Sequence, residues 1–130
     1  MKRDLVLTIT SLLSILFLTF HLTDDILYGM APAGVTNLIG VAILVVWLYG
    51  TLALAERRSG YVIMLLGSLL AAGIPYIHMR GTGGVLGGEV ARSGGAFFFV
   101  WTLLALGVTA AFSVILSAHG LWRLRSGQSR

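Results

Sequence analysis

Leu5 to Phe20 is a run of sixteen residues without a charge, and three more long apolar runs follow it, at about 35–55, 61–77 and 96–119. Sixteen helical residues cover about 24 Å, a little short of a hydrocarbon core of about 30 Å. The first helix is therefore expected to continue through His21 towards Tyr28, with Gly29 or the Ala31-Pro32 pair ending it. Backbone amides in lipid must be satisfied internally, so only helices or a closed barrel can cross. The runs lack the alternating pattern of barrel strands. The sequence predicts an all-α protein, a bundle of four transmembrane helices in a single domain, with spans at about 5–28, 35–55, 60–78 and 95–120.

Only 11% of the 130 residues are charged and 57% are hydrophobic. An average soluble domain carries about 25% charged residues, so this chain cannot coat itself for water, and the expected partner is the lipid bilayer. The net charge of +4 would suggest nucleic acid in a soluble protein. Here the basic residues sit between apolar runs and are not interleaved with exposed aromatics, so nucleic-acid binding is not expected. With no cysteine, disulfides, thiolate metal sites and cysteine nucleophiles are excluded. The first run is long for a secretory signal and lacks a small-x-small cleavage pattern, so it is read as a retained span.

An even number of spans puts both termini on one side. Lys2, Arg3, Arg57, Arg58, Arg123, Arg125 and Arg130 then share that side, against Arg80 and Arg92 on the other. Such a bias in short loops predicts that both termini are cytoplasmic. Ser59-Gly60 is expected to form the tight turn between the second and third spans, and Pro75 to loosen the end of the third. Gly67-x-x-x-Ala71 and Gly107-x-x-x-Ala111 are candidate small-residue contact faces. The segment 81–95 holds seven glycines but no Gly-Lys-Ser/Thr, and no strand precedes it, so it reads as a surface loop and not as a phosphate cradle.

The densest chemistry lies at His21-Leu22-Thr23-Asp24-Asp25. On a helical wheel Thr10, Ser14, His21, Asp25 and Tyr28 share a stripe, with Asp24 at its border. The third span ends in His78 at nearly the same depth. His21, Asp24, Asp25 and His78 are therefore candidates for an outward-facing site, with Tyr28, Arg80 and Glu89 around it. Three chemistries fit these residue types. His21, Asp25 and His78 offer imidazole and carboxylate ligands to a divalent metal. Two histidines at equal depth suit the axial positions of a haem. A histidine beside a carboxylate suits proton transfer. The plainer alternative is a hydrated helix end.

The segments His21-Leu-Thr-Asp-Asp, Leu54-Ala-Glu-Arg-Arg-Ser-Gly-Tyr61 and Phe97-Phe-Phe-Val-Trp101 resemble a group of small four-helix bacterial integral membrane proteins. The resemblance implies the topology and a bacterial inner (plasma) membrane, and no mechanism. Small multidrug exporters carry an acidic residue midway along the first helix, where this chain has only Thr and Ser. The arginine and asparagine motifs of fluoride channels are missing. Without an enzyme signature, the leading expectation is an accessory protein that packs against partner membrane helices or forms a homo-oligomer. The outward-facing metal, haem or proton-handling site is the alternative.

Overall fold

The computed structural model describes residues 4–29, 34–35, 37–80 and 94–127, with Met79 and Arg80 as backbone only. These residues form four helices and no strand: α1 (Leu5–Leu27), α2 (Asn37–Ala53), α3 (Arg58–Arg80) and α4 (Ala96–Arg125). α1, α3 and α4 are long and apolar enough to cross a membrane. Asp4 starts α1 by accepting a hydrogen bond from the Leu7 amide at 3.2 Å, the side-chain cap that an orphan first-turn donor needs. Gly29, at φ +70°, stops it, a left-handed conformation that costs glycine little.

α2 has 17 residues, not the twenty-one expected. At about 25 Å it is the shortest of the four. It loses two residues at each end. Residues 54–57 form the turn to α3, and Ser59-Gly60, expected to be that turn, already belongs to the helix. Gly60 serves a close approach, since a Cβ there would overlap the carbonyl of Leu54. α3 continues through Pro75 to Arg80, and the proline ring lies against Gly107 of α4. α4 runs 30 residues, five past its expected end, and carries Arg123 and Arg125 in its last turn.

Each helix packs against its sequence neighbours, and α4 closes against α1, with α1 and α3 facing across the diagonal. The interior follows alternating steps of three and four residues. α1 buries Leu7, Ser11, Ser14, Leu18 and His21, and Asp24 beyond them. α3 buries Tyr61, Met64, Ser68 and Ala71 and reaches His78 on the same seam. α4 buries Phe99, Leu103, Leu106, Ala110, Ser113, Ser117 and Gly120. This spacing is the knobs-into-holes pattern of a left-handed bundle. About half of the seam is Ser, Ala or Gly, while most of the Leu, Ile and Val residues point outward. That inverted arrangement is expected where lipid surrounds the bundle and close backbone approach drives packing.

Two hydroxyl clusters join the helices. Trp47 Nε1–H donates to Ser11 Oγ at 2.8 Å, and Thr51 Oγ1 donates to the Trp47 carbonyl at 2.9 Å. The Ser11 hydroxyl, 2.8 Å from Thr51 Oγ1, then donates to it, which closes a loop of three bonds between α1 and α2. Ser68 donates to Ser113 at 2.7 Å across α3 and α4. Of the two small-residue faces, Gly67 and Ala71 are both buried, with Gly67 under the Trp47 indole. In the second, Gly107 meets Pro75 but Ala111 is exposed, and Ala110 takes the interior position. The one-residue shift follows from the seven-residue repeat of α4, which selects 103, 106 and 110.

Candidate metal centre

At the end of the bundle away from Asp4 and Arg125, the seam positions turn from small residues to ionisable ones. His21 projects from the penultimate turn of α1 and is fully buried, and His78 comes from the last turn of α3. Their rings meet across the bundle diagonal, edge to face, with centroids 4.6 Å apart. Asp25, one turn beyond His21, presents one oxygen to each ring. Its Oδ2 lies 3.5 Å from His21 Nε2 and its Oδ1 lies 3.4 Å from His78 Nε2. Phe99 of α4 closes the remaining side, 5.3 Å from the His21 ring and 5.7 Å from His78.

Two details bear on the chemistry. His78 Nδ1 is 3.0 Å from the Ile74 carbonyl. A carbonyl can only accept, so Nδ1 carries the proton, and Nε2 is the ring nitrogen turned to Asp25. A histidine that ligates a metal is oriented in the same way, by a backbone carbonyl behind it. Second, the Nε2–Oδ separations of 3.4 and 3.5 Å exceed the 2.7–3.2 Å of a good N–H···O hydrogen bond. His21 Nδ1 and Nε2 and Asp25 Oδ1 are buried without a hydrogen-bond partner among the described residues. Buried polar atoms of this kind need a partner, and an ion between the two rings and the carboxylate would supply one.

The spacing approaches that of an ion's ligands, and the three side chains would draw closer around one. Ligand atoms about 2.0–2.1 Å from a tetrahedral zinc stand about 3.3–3.4 Å from one another. One ligand atom each from His21, Asp25 and His78 lies within 4.8 Å of the other two. Haem does not fit. Two axial imidazoles on one iron hold their centroids on the order of 6 Å apart with a macrocycle between them, and 4.6 Å leaves no room for one.

Asp24 does not join this group. It is buried, with Oδ2 unpartnered, but one residue from Asp25 its side chain leaves the helix about 100° away. Tyr28 caps α1 and lies edge-on to Phe99 at 6.3 Å. The side chain of Arg80 and the whole of Glu89 lie outside the described residues. His119, at the other end, is exposed and stacks on Trp122 at 6.0 Å. Sequence reasoning missed Phe99, the ring shared by His21, His78 and Tyr28. Its only mark is its phase in the 99, 103, 106, 110 series, hidden among three consecutive phenylalanines. Beneath the centre Leu18, Ala71, Leu103 and Leu106 are buried, so the polar group rests on an apolar floor. Comparison with family models, curated proteins and solved structures returns no match, and the functional reading rests on this geometry.

Proposed function

We propose that this is a multi-pass protein of a bacterial plasma membrane, with both termini cytoplasmic, that binds one divalent transition-metal ion at the outward end of its bundle. The observation that carries the reading is the convergence of His21, Asp25 and His78, with one ligand atom of each within 4.8 Å of the others and buried ring and carboxylate atoms unpartnered. Ionisable side chains facing the interior of a membrane bundle are costly and are kept for function. Two imidazoles and a carboxylate without thiolate suit zinc, cobalt, nickel or manganese. Three protein ligands leave a position open for water or a further ligand, the condition under which zinc acts as a Lewis acid or activates water. A shared proton is a weaker account of the cluster, because both Nε2–Oδ separations exceed hydrogen-bond length.

Tag-free protein in detergent, stripped with chelator and titrated with Co²⁺, is expected to take up one ion per chain and to develop visible absorption. Uptake weakens as pH falls, because protons compete with the ion for Nε2. Asp25→Asn is expected to lose at least about 10-fold in affinity, and Asp24→Asn to behave as wild type. Equal loss in both variants, or no uptake by wild type, counts against the site. The orientation rests on the seven-to-two distribution of basic residues. The chain has no cysteine, so Gly87→Cys and Ser129→Cys are clean reporters. A membrane-impermeant maleimide added to intact cells is expected to label the first and not the second.

The accessory reading has one feature in its favour. An apolar groove of about 660 Å³ runs between α1 and α4, lined by Leu13, Phe17, Trp101, Leu104 and Val108 among others. Its apolar composition suits the side of a partner membrane helix. Photo-crosslinking from Leu104 in membranes tests this, with a discrete protein adduct expected and lipid adducts alone contradicting it.

A further inference from the structure

The opposite end of the bundle holds a pocket of different character. It lies between the start of α3 and the end of α4, has a volume of about 660 Å³, and is lined by Arg58, Val62, Leu121, Trp122, Leu124 and Arg125. The grooves between α1 and α4 and between α2 and α3 are walled almost entirely by apolar residues. Here two guanidinium groups share a pocket with four apolar or aromatic residues. Among the described residues neither arginine has a carboxylate partner, since the ion pairs found there are the two of the histidine cluster. No acidic residue lines the pocket or occupies the first turn of α3.

We propose that this pocket binds an anionic phospholipid of the adjacent leaflet. The phosphodiester sits between Arg58 and Arg125, and an acyl chain lies along Val62, Leu121 and Leu124. The charge complementarity is specific. Guanidinium presents paired N–H donors that match phosphate oxygens, and two unpaired positive charges favour a headgroup with net negative charge over a zwitterion. Basic pockets between membrane helices bind such headgroups. Trp122 supplies the aromatic ring that anchors at headgroup depth. A soluble anion would make no use of the apolar residues, which is why lipid is the chosen occupant. The proposal depends on the bundle lying in a membrane and not on the metal centre at its other end.

The test is native mass spectrometry of the full chain, offered phosphatidylglycerol and phosphatidylcholine together. Wild type is expected to retain phosphatidylglycerol preferentially. Each arginine contributes about fivefold, so Arg58→Gln/Arg125→Gln together lower retention by about 25-fold. Arg57→Gln, a neighbouring charge outside the pocket, is expected to keep the preference. Both replaced side chains are exposed, so the fold is not at stake, and unchanged circular dichroism checks this. Retention by the double variant equal to wild type overturns the proposal. So does an equal loss in Arg57→Gln, which would mark diffuse charge attraction. Displacement by millimolar inorganic phosphate, with no dependence on the acyl chain, would show a phosphate site and overturn the lipid assignment.

Discussion

His78→Ala is expected to lower zinc affinity by at least about 100-fold while leaving the bundle folded. Removing the carbonyl or carboxylate behind a ligating histidine already costs about 10–100-fold, and here the ligand itself is lost. His78 is only partly buried, at 18% exposure, and sits in the last turns of α3, so truncation opens the rim and not the core. The difference shows in thermal melting. A ligand that binds only the folded state stabilises it by about 2.7 kcal/mol at a concentration 100 times its dissociation constant. Wild-type protein should gain that margin from zinc, and His78→Ala, at the same zinc concentration, no more than about 0.4 kcal/mol. His21→Ala is less clean as a test, because His21 is fully buried against Phe99 and its removal leaves a cavity as well as an unfilled ligand position.

The second large effect lies far from any ligand. Gly60→Ala is expected to destabilise the protein by about 3 kcal/mol, at the upper end of what overpacking costs. The added Cβ would overlap the Leu54 carbonyl oxygen and carbon. These are backbone atoms in the turn that brings α2 back into α3, and no rotamer change relieves the contact. Gly73, on the same helix, is the internal control: a Cβ there meets nothing within 4 Å. Gly73→Ala should leave the melting temperature unchanged or raise it, since alanine is the better helix former by about 1 kcal/mol. Melting both variants in one detergent separates steric cost from helix propensity. Equal behaviour of the two would contradict the packing described for the α2–α3 turn.

The parts of this protein that were legible in sequence are those written in long-range composition. Four apolar runs and their charged breaks mark four helices, because hydrophobic length is a coarse and redundant signal. The pairing of His21 with His78 was visible as equal depth from Leu5 and Tyr61. Helix ends were harder. α2 stops at Ala53 and Gly60 packs against the Leu54 carbonyl from within α3, a three-dimensional fact that Ser59-Gly60 in sequence suggests only as a turn. The interior seam was hardest. In the second half of α4 the buried positions are Ser113, Ser117 and Gly120 while Phe112 and Ile115 face outward. A search for an apolar stripe therefore points to the wrong face. The useful pattern is the seven-residue repeat of small and polar residues. Read that way, it places His21, His78 and Phe99 on one axis and moves Asp24 off it.

One measurement addresses the metal centre directly: zinc-edge X-ray absorption fine structure on tag-free protein loaded with one equivalent of zinc. The account predicts two imidazole nitrogens and one or two oxygens at about 2.0–2.1 Å, with the imidazole signal lost in His21→Ala/His78→Ala. A first shell of water oxygens alone, or the same imidazole signal in that double variant, would contradict it.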